Sequence, residues 1–316
     1  MGWRWRGCAE HVDLATVHPE LRSRVRLVPP LPIGTALGRW TLRSLAALAP
    51  HRRVDGVRIE WRNDVRPALR LYLPSERRSA AALLWLHGGG MVIGRASQDD
   101  RFCSETAATL GALVVSVEYR LAPEHPFPAP LDDAHAGWSW LQRNAETLGV
   151  DPARVAVGGQ SAGGGLAAAL AQRLHDEPGP GAAAQWLFCP MLDDRTATRR
   201  DLDAVDHFVW NNRNNAVGWE ALLGAEPGGD VPPYAAAARR EDLRGLPPAW
   251  IGVGDIELFF EENRAYAQRL QAAGVDVDLD VVPGAPHGLV AWAPDAEVTR
   301  AFVGRAQAWL ERTLAG

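Results

Sequence analysis

The chain has 316 residues, of which 47% are hydrophobic and 22% are charged, and its formal net charge is −5. This composition is that of a globular protein and excludes the disordered, collagen-like and coiled-coil classes. Because the net charge is negative and no long run of Lys and Arg occurs, the chain lacks the positive field that a phosphate backbone requires, and we expect no nucleic-acid partner.

The cysteines and the N-terminal residues indicate the cellular compartment in which we expect the protein. Cys8, Cys103 and Cys189 are odd in number and widely spaced, which predicts neither a disulfide framework nor a zinc site, and we interpret them as incidental thiols. The N-terminus has no apolar segment followed by a cleavage site, and the longest apolar runs are too short for a membrane span. We therefore expect a cytoplasmic protein without a membrane-spanning segment.

The first 50 residues predict helices. Apolar residues recur there at helical spacing, and the proline-rich run LVPPLPIG interrupts them. We expect residues 1–50 to form the N-terminal part of a helical cap, and residues 51–316 to form one further domain.

Short apolar segments alternate with helical ones after residue 51. Residues 57–61 and 69–73 predict an early hairpin, and helices are predicted to begin near Asp132, Ser161, Glu262 and Asp295. The other predicted strands are 83–86, 114–117, 155–157, 184–188, 249–253 and 277–282. This alternation predicts an α/β fold with a mostly parallel central sheet flanked by helices, and ligand sites at the carboxyl ends of the strands.

The segment VAVGGQSAGGGL, residues 155–166, places a G-x-S-x-G motif between an apolar strand and an alanine-rich helix. A serine in such a sharp turn is exposed for attack, and Gly159 and Gly163 remove side chains that would clash. The helix N-terminus also favours developing negative charge. An isolated match would more often be a glycine-rich turn with an N-cap serine, but the flanking elements favour Ser161 as a nucleophile.

A second motif, LLWLHGGG at residues 83–90, ends another apolar strand. Consecutive glycines let backbone N–H groups approach a substrate oxygen closely, as a tetrahedral oxyanion requires. The alternatives are a flexible loop or a phosphate-cradling loop, although no G-K-[ST] or G-x-G-x-x-G follows. We interpret His87 as a residue that braces the loop. The candidate donors of an oxyanion hole are the N–H groups of Gly88, Gly89, Gly90 and Ala162.

A third motif, VPGAPHG at residues 282–288, lies between a late strand and the last helix. Of the nine histidines, His287 has the best position for meeting Ser161, because such a loop is bounded by regular elements. The alternative is a histidine in a surface loop that has no functional role. The chain order serine, acid, histidine is the one expected for a catalytic triad on this fold.

Together with YRLAPEHPFPAP at residues 119–130, these motifs resemble the hormone-sensitive-lipase-like α/β-hydrolases, a family of carboxylesterases, over roughly residues 50–316. The resemblance implies the α/β-hydrolase fold with a helical cap, and residues 51–316 as its catalytic domain. Residues at about 191–230 are candidates for a part of this cap or of the rim of the site. The resemblance also implies hydrolysis of short- to medium-chain acyl esters of small molecules through an acyl-enzyme, without a metal or cofactor. Trp3, Trp5 and Trp40 are candidates for lining an acyl pocket, or equally for core or interface anchors. A homodimer is a further expectation of the resemblance, and no interface for it can be read from the sequence.

Two carboxylates, Asp255 and Glu257, are candidates for the acid. Members of the resembled family usually have Asp, but they place it directly before a Pro-Leu or Leu-Phe pair, which here is preceded by Glu257. We therefore favour Glu257 over Asp255, and the resemblance implies a triad of Ser161, Glu257 and His287. Asp255 would then bind backbone N–H groups of a loop. Gln160 also departs from the family, which usually has Asp or Glu before the nucleophile.

Two other functions are compatible with this fold. The first is a non-catalytic ligand receptor, as in the plant gibberellin receptors, which resemble this family but lack its histidine. The presence of His287 argues against it. The second is an amidase or peptidase that uses the same triad.

Overall fold

The computed structural model describes residues 10–48 and 54–315. Trp3, Trp5 and Cys8, which the sequence analysis named, lie outside these ranges. Within them, eight strands form one sheet. The strands are β1 (Val57–Arg62), β2 (Leu69–Pro74), β3 (Ala82–Leu86), β4 (Leu113–Val117), β5 (Val155–Gln160), β6 (Gln185–Phe188), β7 (Ala249–Gly254) and β8 (Val277–Val282).

The strand order in the sheet is β1-β2-β4-β3-β5-β6-β7-β8. Strand β2 runs antiparallel to both of its neighbours, so β1 and β2 form the predicted hairpin. The five remaining pairings are parallel. Every residue of β3 and β4 is buried, as expected for strands with helices on both faces. The predicted mostly parallel α/β sheet is thus confirmed.

Helices cover both faces of this sheet. Alternate residues of a strand point to opposite faces. In β3, Leu84 joins the core beneath the helices Ala129–Arg143, Ala162–Asp176 and Phe260–Ala272, whereas Trp85 joins the core beneath the helices Asp100–Leu110 and Glu297–Ala315. Within the described ranges, no helix is long and apolar enough to cross a membrane. The helices are α1 (Arg22–Val25), α2 (Ala36–Leu48), α3 (Asp100–Leu110), α4 (Ala129–Arg143), α5 (Ala162–Asp176), α6 (Asn212–Leu223), α7 (Phe260–Ala272), α8 (Leu289–Trp292) and α9 (Glu297–Ala315).

One predicted helix start needs correction. Helix α4 begins at Ala129 and not near Asp132, so the helix includes Pro130. Proline is tolerated in the first turn because its missing N–H would have no partner within the helix there. The other three predicted starts agree with the structure within two residues.

The described N-terminal segment contains α1 and α2, with the proline-rich run between them. Helix α2 is attached beside the HGGG motif by Arg43, whose guanidinium donates to the carbonyl oxygens of Val92 and Ala122, each at 2.8 Å, and forms an ion pair with Glu124. Trp40 of α2 is 66% exposed and therefore anchors no core. That this segment acts as a cap stays a prediction.

Candidate active site

The loops that carry the predicted site residues follow neighbouring strands. His87 follows β3, Ser161 follows β5, Glu257 lies three residues after β7, and His287 lies five residues after β8. The carboxyl ends of parallel strands meet at one edge of the sheet, so these loops converge. In the described part of the chain, no group of three or more His, Cys, Asp and Glu side chains is arranged to hold a metal ion.

Ser161 has a strained backbone between β5 and α5. Its φ is +56° and its ψ is −121°, a conformation that costs a residue with a Cβ about 1–3 kcal/mol. Three backbone hydrogen bonds maintain it. The Ser161 N–H donates to the Phe188 carbonyl at 2.8 Å, and the Ser161 carbonyl accepts from the N–H groups of Gly165 and Met191, each at 3.0 Å.

The glycines of the G-x-S-x-G motif are required by close backbone contacts. A Cβ at Gly159 would lie 2.3 Å from the Gly163 carbonyl oxygen, and a Cβ at Gly163 would lie 2.0 Å from the Leu86 carbonyl oxygen. Both distances are far below van der Waals contact. The end of β3, the end of β5 and the start of α5 are therefore packed backbone against backbone around Ser161.

The structure brings Ser161, His287 and Glu257 into one chain of hydrogen bonds. The Ser161 Oγ lies 2.9 Å from His287 Nε2, and Glu257 Oε2 lies 2.8 Å from His287 Nδ1. All three residues are at most 5% exposed. The imidazole also meets the Phe259 ring edge to face, with 5.2 Å between the ring centroids. Each nitrogen of the ring thus has a partner, and these contacts fix the orientation of the ring.

Asp255 has a different hydrogen-bond partner from Glu257. Its Oδ1 accepts a hydrogen bond of 2.6 Å from the N–H of Gly284, in the loop after β8. This is the kind of backbone contact that we expected for the carboxylate not paired with His287. Asp255 thereby ties the start of the histidine loop to the end of β7.

Cys189 lies beside His287, where the sequence analysis had interpreted it as an incidental thiol. Burial favours the neutral imidazole and lowers the pKa of His287, but the nearby Cys189 sulfur and the Glu257 carboxylate outweigh burial and raise this pKa above its ordinary value. The signal that could have found Cys189 is its position directly after β6, at the sheet edge where ligand sites lie.

The HGGG loop is held through its carbonyl groups. The Tyr119 hydroxyl donates to the His87 carbonyl at 2.6 Å, and the N–H groups of Val92 and Ile93 donate to the Gly89 carbonyl at 3.1 and 3.0 Å. Among the described residues, no backbone acceptor is recorded for the N–H groups of Gly89 and Gly90. These amides are therefore free to bind a ligand oxygen.

The first glycine of the motif and the start of α5 border the nucleophile. A Cβ at Gly88 would lie 3.5 Å from the Ser161 Cβ and 3.1 Å from the Gln160 carbonyl oxygen. Ala162 is the first residue of α5, and the first N–H groups of a helix have no partner within it. Gly88 and Ala162 thus border Ser161, Gly89 and Gly90 follow Gly88 in the same loop, and the role of all four stays a prediction.

His87 is a buried brace, in agreement with our interpretation. Its ring stacks on Tyr119 with 4.1 Å between the centroids. Burial, partly opposed by a hydrogen bond with the Gly88 carbonyl at 2.9 Å, lowers the pKa of His87 to about 4, so the ring is neutral at physiological pH. A neutral imidazole next to a carbonyl oxygen donates from Nδ1.

Trp210 covers the site from the segment before α6 and was missed by the sequence analysis. Its ring centroid lies 6.5 Å from that of His287. A Cβ at Gly90 would lie 2.2 Å from its Cη2 atom, so the indole packs directly on the HGGG loop. The sequence predicted only that residues at about 191–230, which include Trp210, contribute to the cap or to the rim of the site.

Comparison with known proteins identifies the family to which this fold belongs. Residues 83–291 match the family model of the alpha/beta hydrolase fold. Carboxylesterase NlhH of Mycobacterium tuberculosis is 34% identical over 296 residues, which cover 89% of this chain and 90% of that protein. Ethyl acetate hydrolase of Pseudomonas putida is 32% identical over 222 residues, covering 69% and 70%. The solved structure of a bacterial heroin esterase is similar with a TM-score of 0.88 and 37% identity, over 96% of this chain and 99% of that one.

The chain belongs to the hormone-sensitive-lipase-like carboxylesterases of the α/β-hydrolase superfamily. The predicted fold class and the predicted enzyme class, a carboxylic ester hydrolase, are confirmed. In this esterase Gln160 replaces the usual acid of the family. A Cβ at Gly288 would lie 3.2 Å from Gln160 Nε2, so the Gln160 side chain reaches the histidine loop while the turn around Ser161 is intact.

The strain at Ser161 can be measured through stability. We expect S161G to have a free energy of unfolding about 1 kcal/mol above that of S161A, because glycine adopts a positive φ without a clash and this gain exceeds its entropic cost of roughly 0.5–1 kcal/mol. Urea denaturation followed by tryptophan fluorescence measures the difference. An S161A protein at least as stable as S161G would show that the backbone is not strained.

Proposed function

We propose that this esterase hydrolyses short- to medium-chain acyl esters through a Ser161–Glu257–His287 triad and an acyl-enzyme intermediate. The observation that carries the proposal is the unbroken chain of hydrogen bonds from the Ser161 Oγ through both imidazole nitrogens to Glu257. The N–H groups of the HGGG loop and of Ala162 support it, because acyl transfer needs both a base-activated nucleophile and donors for the oxyanion.

In the first half of the reaction, His287 Nε2 takes the Ser161 proton as Oγ attacks the ester carbonyl carbon. The carbonyl oxygen becomes an oxyanion and accepts hydrogen bonds from N–H groups of the HGGG loop and of Ala162. The Glu257 carboxylate accepts a hydrogen bond from the Nδ1–H group of His287 and stabilises the imidazolium. The imidazolium then protonates the leaving alcohol, the carbon–oxygen bond to that alcohol breaks, and the acyl group remains on Ser161.

In the second half, water enters where the alcohol has left. His287 removes a proton from this water as it attacks the acyl carbon, and the same amides hold the second oxyanion. When the tetrahedral intermediate collapses, the imidazolium returns the proton to Ser161 Oγ and the carboxylic acid departs. All atoms that are exchanged in the two halves of the reaction come from the ester, the water and the triad.

One observation supports short acyl chains. A relative of this chain, from Pseudomonas putida, is named for the ester of a two-carbon acyl group, ethyl acetate.

The function is tested with p-nitrophenyl acetate, butyrate, hexanoate and octanoate. We expect turnover that is fastest with the shorter chains, and a loss of about 10⁴-fold or more in S161A, because the nucleophile and the base act as one unit. Matched p-nitroanilides distinguish an amidase or peptidase, which would cleave them at comparable rates. No turnover of any ester by the folded protein, or turnover that survives in S161A, would contradict the proposal.

The identity of the acid is tested by a matched pair of variants. We expect E257Q to lower kcat by about 10³–10⁴-fold and D255N by less than about tenfold. Removing the Glu257 charge also removes a stabiliser of the imidazolium, so the pKa of His287 falls and the acidic limb of the kcat/KM profile moves to lower pH in E257Q only. The reverse ranking, with both variants folded, would assign the acid to Asp255.

A further inference from the structure

The Gly88 carbonyl oxygen is held by two side chains. His87 Nδ1 lies 2.9 Å from it, and Gln98 Nε2 donates to it at 3.1 Å. Gln98 belongs to the short 3₁₀ helix Ala96–Asp99, which precedes α3. This places an amide donor against the HGGG loop from a part of the chain that belongs to none of the three motifs.

The orientation of the Gln98 amide is fixed by a second bond. Its Oε1 accepts from the Arg95 N–H at 3.3 Å, so the amide oxygen faces Arg95 and the amide nitrogen faces Gly88. There is no room for a side chain on Gly94 in this contact, because a Cβ there would lie 2.4 Å from the Gly88 oxygen and 2.9 Å from Gln98 Oε1. The loop backbone and the Gln98 side chain therefore lie in direct contact.

A peptide unit is planar, and in the trans form its carbonyl and its N–H point in opposite directions. The bond between Gly88 and Gly89 is trans, since the cis peptide bonds recorded in the described ranges all precede prolines. Holding the Gly88 carbonyl on the side of His87 and Gln98 thus directs the Gly89 N–H away from them. The same reasoning applies to the next unit, in which the Gly89 carbonyl is held by Val92 and Ile93 and the Gly90 N–H is directed away.

We propose that Gln98 is a positioning residue, which fixes the Gly88–Gly89 peptide so that the Gly89 N–H donates to the oxyanion during ester hydrolysis. This inference rests on the proposed function of the Ser161 site. Gln98 touches no reacting atom and acts only through the Gly88 carbonyl. Its other side is exposed and lines an open cavity of about 480 Å³, so its replacement removes a hydrogen bond without opening the core.

The test compares Q98M, which keeps the length of the side chain but lacks the donor, with Q98E, which puts an acceptor against the carbonyl. Losing a direct oxyanion donor costs about 10²–10³-fold in kcat, and a positioning residue should cost less. We expect kcat to fall about tenfold in Q98M and further in Q98E, with KM within about twofold of the wild type. Affinity for a trifluoromethyl ketone, which forms a tetrahedral adduct with the nucleophile, should fall by the same factor as kcat/KM.

The matched control is Q185M. Gln185 is a buried glutamine whose Nε2 donates to the Pro247 carbonyl at 3.0 Å, at the start of β6 and therefore at the opposite end of the strand from the site. We expect Q185M to lower stability and leave kcat and the ketone affinity unchanged.

Two results would overturn the role of Gln98. One is wild-type kcat and ketone affinity in folded Q98M and Q98E, measured against an active wild-type enzyme. The other is an equal loss of kcat in Q185M, which would mean that any lost glutamine bond has this effect. A failure of the proposed function itself is distinguishable, because the wild-type protein would then hydrolyse no ester.

Discussion

The end of β3, the end of β5 and the start of α5 meet at contact distance around Ser161. The position of every reacting group depends on this contact. Gly159 and Gly163 have no room for a Cβ, so the end of β3 lies against the start of α5. The contact holds Ser161 at a positive φ, and it places the HGGG loop beside the nucleophile. A sheet with parallel strands then brings Glu257 and His287 to the same edge from loops distant in sequence.

The second requirement is electrostatic. Taken alone, burial would make His287 a weaker base, whereas Glu257 and Cys189 raise its pKa. Glu257 is itself buried, and among the described residues its Oε1 has no hydrogen-bond partner. A carboxylate so poorly solvated depends on the charge of the imidazolium for stabilisation. The pair is therefore most favourable when His287 carries the proton from the nucleophile, which is the state that acyl transfer creates.

Local sequence predicted the parts of the site that a motif fixes, and failed where tertiary contact decides. The G-x-S-x-G turn defines the surroundings of Ser161 because its glycines are sterically required. The choice between Asp255 and Glu257 needed the family register, since both follow the same strand. Cys189, Trp210 and Gln98 belong to no sequence motif of the site, and their contacts depend on which loops meet at the sheet edge. Helix α4 begins three residues before the predicted start, because its first turn tolerates Pro130.

The central claim is that Ser161 attacks the acyl carbon while amides of the HGGG loop hold the oxyanion. A crystal structure of the protein inactivated by an alkyl p-nitrophenyl phosphonate tests it most directly, because the phosphonyl group mimics the tetrahedral intermediate. The account predicts one phosphorus atom bonded to Ser161 Oγ, with its oxygen at 2.7–3.1 Å from the N–H groups of Gly89 and Gly90. Attachment to another residue, or a phosphonyl oxygen turned away from both amides, would contradict the account.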